Sequence, residues 1–184
     1  MFKQIILIGP PGSGKGAQSK LLSKKLQIAR ISSGELLRSL INQNDKRYDG
    51  IKEIISKGNL LSDNVLIQII QKAMKEMDLT KGLVADGFPR TKNQAIILNE
   101  LKIISRDKVQ VFVLKVNKEI LEKRIQLRMS KEDRLDDKLN IFEERYKKFT
   151  IHSKEIMDYY QKSIMIDGES SIELVNNQIL KYLE

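Results

Sequence analysis

The sequence predicts an α/β fold: a three-layer, doubly wound, parallel five-stranded sheet that carries a helical insert. Three observations lead there. Apolar segments of strand length alternate with longer amphipathic ones, as βαβ units require. The first apolar run, Ile5-Ile6-Leu7-Ile8, passes straight through a glycine-rich turn into the helix-prone Ala17-Gln18-Ser19-Lys20-Leu21-Leu22. Between residues 33 and 77, helical segments follow one another with no strand among them.

Taken in order, strands are expected at 3–8, 28–31, 82–86, 109–116 and 163–167, in a sheet covered by helices on both faces. The insert spans about 32–61, broken at Asn42-Gln43-Asn44 and ended by Gly58-Asn59-Leu60-Leu61-Ser62, and a helix over 62–77 returns to the core. The core comprises 1–31, 78–129 and 135–184. Ser130-Lys131-Glu132-Asp133 is a polar connector in a very short lid over 129–135, too small to fold alone. Ile172, Val175, Ile179 and Leu183 recur at helical spacing, which predicts a closing helix with all four in the core.

Composition narrows the chemistry. The 184 residues suffice for one well-buried core and are too few for two full-sized domains. There is no cysteine, and His152 is the one histidine, which excludes disulfides and thiolate metal sites and argues against zinc. No apolar run approaches the roughly 20 residues that span a bilayer. Met1-Phe2-Lys3-Gln4 leads directly into the first strand without the apolar region of a signal peptide, so a cytoplasmic location is expected. The absence of a long apolar stripe points to a monomer.

A net charge of +9 raises nucleic acid as a ligand, but the lysines are spread along the chain among Asp and Glu, as on solvated helix surfaces. Aromatic stacking clusters and a basic stripe are both lacking. Arginine is distributed differently: Arg38, Arg90, Arg124, Arg128, Arg134 and Arg145 all lie in motif-like contexts. Because guanidinium grips phosphate bidentately, small anions are the better expectation.

Gly9-Pro10-Pro11-Gly12-Ser13-Gly14-Lys15-Gly16 supplies the first anion site. A strand turning through glycines into a helix aims backbone N–H groups and the positive helix end at one spot, and Lys15 adds a full charge where β- and γ-phosphates would lie. Gly16 stands where Ser or Thr normally helps to hold Mg²⁺, so a magnesium ion would rely on phosphate oxygens and water. The strand ending Leu83-Val84-Ala85-Asp86 is followed by Gly87-Phe88-Pro89-Arg90-Thr91. Ligands of parallel sheets bind beyond the carboxyl ends of strands, which puts Asp86 and Arg90 in the crevice of the glycine-rich turn. Asp86 would reach Mg²⁺ through water, with no direct protein ligand, and Arg90 would neutralise a transferred phosphoryl group. For Thr91 and Gln94 a capping box is an equally good reading. Ser32 or Ser33 opens a helix that carries Arg38, where simple N-capping also fits. Arg124 and Arg128 share a helix face, and Arg145 lies three turns beyond Arg134 on a similar face.

Assembled in this order, these stretches resemble the adenylate kinases, and more broadly the nucleoside monophosphate kinases, in their short-lid form. Asp86-Gly87-Phe88-Pro89-Arg90-Thr91 with Gln94-Ala95 is the most specific piece. Arg134-Leu135-Asp136-Asp137 and Arg145 resemble the arginines that flank the lid, and Tyr159-Tyr160 with Ile166-Asp167-Gly168 resembles the closing segment. The resemblance implies a P-loop fold whose helical insert binds the nucleoside monophosphate (NMP). It implies ATP contacts at Gly12, Ser13, Gly14, Lys15, Gly16, Ala17, Arg124, Arg128 and, through main chain, near Ser170. It implies AMP contacts at Ser33, Arg38, Asn59, Leu60, Leu61, Gly87, Phe88, Pro89, Arg90, Gln94, Arg134 and Arg145. Ala17 and Ser33 stand where threonine is usual, Glu35 where aspartate is, and Asn140 where glutamate is.

The implied reaction is in-line transfer of the γ-phosphoryl group of MgATP to AMP, giving two ADP. The attacking phosphate oxygen is already anionic, so no general base is required. Catalysis would rest on positioning and charge, from Lys15, Arg90, Arg128, Arg134 and Arg145. The alternatives are a UMP/CMP kinase, which shares the phosphate cage and differs at the base pocket, and an ATP-binding module without transfer activity.

Overall fold

A computed structural model describes residues 3–42, 49–130 and 138–183. Five strands, β1 (Lys3–Ile8), β2 (Ala29–Ser32), β3 (Gly82–Asp86), β4 (Val109–Lys115) and β5 (Ser163–Asp167), form one sheet in the order β2-β3-β1-β4-β5. Every pairing is parallel. The expected fold class holds, and the strand bounds differ from expectation by a residue at β2 and β4.

Alternate residues of β1 enter different cores, as the period of two dictates. Ile6 and Ile8 join Ile31, Leu83, Ala85, Val111 and Val113 on one face. Helices α4 (Asp63–Met74), α5 (Lys92–Glu100) and α7 (Leu139–Tyr160) cover it with Leu66, Ile67, Ile70, Ala95, Leu98 and Ile156. Ile5 and Leu7 join Val84, Phe112, Leu114 and Ile166 on the other, under Leu22 of α1 (Lys15–Leu26) and Val175 and Ile179 of α8 (Ile172–Lys181). Helix α6 (Lys118–Met129) adds a satellite core in which Leu121 and Ile125 meet Phe142. β3 is buried along its whole length, and helices lie on both faces of the sheet.

Between β2 and β3 lie α2 (Ser33–Asn42), α3 (Asp49–Ser56) and α4. The lid expected over 129–135 falls largely outside the described residues; Ser130 closes α6 as its C-cap.

Helix α8 corrects one expectation. Val175, Ile179 and Leu183 are buried, but Ile172 is 49% exposed. Ile172 is the first residue of α8 and engages the core through its backbone instead, its carbonyl accepting from Gln18 Nε2 at 2.9 Å. Asn176, wholly buried, donates to Gln18 Oε1 at 3.1 Å, so a polar pair joins α1 to α8.

Gly82 begins β3 beside Lys3 of β1 with φ +140°. A Cβ there would press on the Lys3 carbonyl oxygen and lie 2.9 Å from its amide nitrogen. Gly82→Ala therefore meets both backbone strain and a main-chain clash where β3 and β1 begin, and should cost about 2 kcal/mol or more. Urea unfolding of the variant beside the parent measures it.

Candidate active site

The carboxyl ends of β1 and β3 are neighbours, with Leu7 opposite Asp86. From β1 the chain turns into α1, whose first residue is Lys15. Lys15 Nζ folds under the turn and donates to the carbonyls of Gly9 at 2.6 Å and Pro10 at 2.8 Å. The first-turn amides of α1 have no acceptor within the helix, and Gly14 at the N-cap offers no side chain to them. An anion is the natural partner of such donors.

A cleft of about 510 Å³ opens over this turn. It is lined by Gly12, Ser13, Gly14, Lys15, Gly16 and Ala17, by Asp86, Gly87, Pro89 and Arg90 beyond β3, by Arg38 of α2, and by Arg124, Arg128 and Arg145 of α6 and α7. A smaller cavity of about 40 Å³ shares Arg38, Leu60, Arg90 and Arg145 with it and adds Ser33, Asn59, Leu61 and Gln94.

Lys15 registers the convergence electrostatically. Burial of its ammonium lowers its pKa from 10.5 to about 7; Asp86 opposes the shift, and Arg90, Arg145 and Arg128 add to it. The residue as a whole is half-buried, but its charged end lies beneath the loop carbonyls. The unfolded chain binds this proton up to pH 10.5 and the folded chain only to about 7. Lys15 therefore penalises the fold most below pH 7, and the penalty fades as pH rises to 10.5.

Behind Asp86 lies an ion cluster that sequence reading missed. Arg30 donates bidentately to Glu35, at 2.6 and 3.0 Å, and its Nη2 stands 3.5 Å from Asp86 Oδ2. Its Nε donates to Ser19 Oγ at 2.7 Å. The Ser19 hydroxyl is 3.0 Å from the Gly16 carbonyl and 3.4 Å from Asp86 Oδ2, the two acceptors for its single proton. The bond from Arg30 is the main cause that holds the Glu35 carboxyl at about 2. That contribution is complete above the ordinary 4.5 and is lost as pH falls towards 2.

On the side of the second cavity, Ser33 Oγ donates to the Gly87 carbonyl at 2.7 Å, and so does Arg90 Nε at 2.7 Å. Gly87 has φ +78°, and a Cβ there would stand 2.7 Å from Ser33 Oγ. Only glycine fits that approach. Lys148 of α7 donates to the Gly58 carbonyl at 2.9 Å and to Asn59 Oδ1 at 2.6 Å, which fastens the α3–α4 connection to the core.

Residues 7–165 match the sequence profile of the family described as adenylate kinase. An adenylate kinase of Leptospira biflexa is 35% identical over 184 residues, covering 98% of this chain and 99% of that protein. One of Archaeoglobus fulgidus is 34% identical, over 98% and 97% of the two chains. One of Caulobacter vibrioides is 31% identical, over 98% and 96%. The chain belongs to the adenylate kinase family. It is thus a nucleoside monophosphate kinase, a transferase that uses ATP.

Set against that family, the expected site residues divide. The glycine-rich turn, Lys15, Asp86 and five of the six singled-out arginines line the main cleft. Arg134 lies outside the described residues. Phe88 is 1% exposed in the sheet core and lines neither cavity. Ser170 donates to Asp167 Oδ2 at 3.1 Å and is absent from the cleft wall. Arg124 donates to the carbonyls of Gly168 and Glu169, at 2.9 and 3.2 Å, and so ties α6 to the same loop. Lys148, Phe149, Ser153 and Ile156 also line the cleft. Their spacing from Arg145 puts them on one face of α7, a periodicity legible in advance.

Binding of a nucleotide to an adenylate kinase with this Lys15 should take up a proton, because phosphate restores the charge that burial disfavours. Calorimetric titration with MgATP in buffers of differing ionisation enthalpy should show uptake close to about one proton at pH 8, falling towards zero below about pH 6. Lys15→Met should abolish it.

Proposed function

We propose that the chain catalyses transfer of the γ-phosphoryl group of ATP to AMP, with the triphosphate on the glycine-rich turn and the monophosphate beside the smaller cavity. The observation that carries this reading is the convergence of Asp86, Arg90, Arg128 and Arg145 on Lys15 in one cleft. A binding module would need the turn alone; a second, arginine-lined pocket continuous with the first calls for a second anion.

In this reading the amides of Gly12, Ser13, Gly14, Lys15, Gly16 and Ala17 hold the ATP phosphates, joined by Lys15 and Arg128. Arg124 and the main chain near Ser170 border the base of ATP. Ser33, Arg38, Asn59, Leu60, Leu61, Gly87, Phe88, Pro89, Arg90 and Gln94 form the AMP side, Phe88 as the buried support beneath Gly87 and Pro89. Arg134 and Arg145 reach the phosphates of the assembled pair. Helices α2 and α3, within about 32–61, constitute the NMP-binding insert, α4 returns to the core, and 129–135 is the lid. A monomer in the cytoplasm fits these features.

The donor set fits magnesium held by phosphate. Among the described residues no cluster of three or more His, Cys, Asp and Glu side chains is placed to hold a metal. A Cβ on Gly16 would lie 3.7 Å from Asp86 Oδ2, so the space a Ser or Thr would fill beside that carboxylate is open. Asp86 would accept from waters on the ion, which when bound offsets charge on the β- and γ-phosphates.

The chain's own part is to align the acceptor oxygen with the γ-phosphorus, to offset charge on the transferring group with Lys15, Arg90, Arg128 and Arg145, and to exclude water. Among the described residues no helix is long and apolar enough to cross a membrane, so the reading requires no bilayer.

Arg90→Ala should fold normally and lose on the order of 10³-fold in kcat, by analogy with arginine fingers. Retention of half the activity overturns its role. The decisive assay offers MgATP with AMP, UMP, CMP or IMP singly and follows diphosphate formation. A faster reaction with UMP or CMP would make the chain a pyrimidine nucleotide kinase.

A further inference from the structure

Gln94, 1% exposed at the floor of the smaller cavity, has both ends of its amide engaged. Its Oε1 accepts from the Arg90 backbone N–H at 2.7 Å. Its Nε2 donates to Asp63 Oδ1 at 2.9 Å. Asp63 opens α4, and both its oxygens face α5: Oδ1 also accepts from Thr91 Oγ1 at 3.2 Å, and Oδ2 accepts from Asn93 Nδ2 at 2.7 Å. Gln94 N in turn donates to Thr91 Oγ1 at 3.1 Å, the cap of α5.

We propose that Asp63 is a specificity-determining positioning residue, which locks the Gln94 amide in the one orientation that reads a 6-amino purine. The inference rests on the reading of Gln94 as the group that meets the acceptor base. A free glutamine amide is ambivalent: turned over about its last torsion, it exchanges donor for acceptor at almost no steric cost. Here the turned amide would set Oε1 against the Asp63 carboxylate and Nε2 against the Arg90 N–H. Two hydrogen bonds would become two repulsions, one of them with a charge.

In the locked state Oε1 retains a second lone pair and Nε2 a second hydrogen. An acceptor and a donor side by side match the 6-amino group of adenine and its neighbouring ring nitrogen. Hypoxanthine reverses the pattern, with a carbonyl at position 6 and N–H at position 1. A glutamine that could turn over would bind either base; one that cannot rejects the 6-oxo purine by leaving acceptor against acceptor. Discrimination between AMP and IMP then originates in an acid that touches neither.

The test compares kcat/KM for AMP and IMP, with saturating MgATP, in the parent, Asp63→Ala and Asn93→Ala. Asp63→Ala frees the amide, and the AMP-to-IMP ratio should fall about tenfold or more, through a raised KM for AMP and a maintained or improved reaction of IMP. Asn93→Ala removes the partner of Oδ2 and leaves the lock, so its ratio should stay at the parent value. Equal losses for AMP and IMP in Asp63→Ala, or an equal fall of the ratio in both variants, would reduce Asp63 to a structural tie and overturn the proposal. A parent enzyme that phosphorylates IMP, UMP or CMP faster than AMP would overturn the acceptor reading itself. In the parent, a scalar coupling through the hydrogen bond from the Arg90 amide nitrogen to the Gln94 side-chain carbonyl carbon reports the orientation directly. Its absence overturns the lock even where Asp63→Ala does not fold.

Discussion

Like charges crowded into one cleft are the constraint on which this molecule depends. Lys15 feels Arg90, Arg128 and Arg145 at once, with Asp86 as the opposing acid. At an effective dielectric of 20, two unit charges about 4 Å apart interact by about 4 kcal/mol, so such a group is stable only when each member has a local compensation. Lys15 has the carbonyls of Gly9 and Pro10, and Arg90 has that of Gly87. Burial carries the remaining strain by weakening the proton on Lys15. A bound polyphosphate would relieve all of these terms together.

The parallel sheet makes the crowding possible at modest cost in chain length. With β3 beside β1, the strand that ends at Asp86 delivers its loop next to the turn that follows Ile8. The helices on the two faces hold these strands by side chains of alternating direction, so both loops emerge from a platform packed on both faces. Rigidity beneath the loops matters because charge stabilisation depends on groups that need not reorganise when the phosphoryl group moves. The α3–α4 connection joins the same core through Leu61 and adds the polar contacts of Lys148.

What was legible in the sequence follows from what is local. Strands alternating with helices, the glycine-rich turn and the acid at the end of β3 are short-range patterns, and each appears where the pattern put it. The reading of Gln94 as cap partner holds in half: Thr91 caps Gln94 N, while the Gln94 side chain accepts from Arg90 N, one residue before the capping position of the usual box. Apolar spacing misled at Ile172, because periodicity does not reveal that the first turn of α8 is joined to α1 through Gln18. The Arg30 cluster stayed hidden for a similar reason. Arg30 and Glu35 are five residues apart across a strand end, and Asp86 lies 56 positions beyond Arg30, so only the sheet brings the three together.

The same distinction separates groups that carry charge to the ligand from groups that fix their orientation. Charge carriers announce themselves by residue type, since arginine and lysine beside glycines are rarely decorative. Orienting groups are ordinary acids and hydroxyls whose meaning depends on what the fold sets opposite them. Arg30 with Ser19 fixes Asp86, Asp63 occupies the Gln94 amide, and none of Arg30, Ser19 and Asp63 lines either cavity; Ser33 occupies the Gly87 carbonyl from within the smaller one. A misplacement of about 1 Å in a group that acts by position alone is costly in rate. A reaction that needs no general base therefore shifts the demand for exact chemistry from the reacting side chains to this supporting layer, and it is there that one nucleoside monophosphate kinase can differ from another while the phosphate cage stays the same.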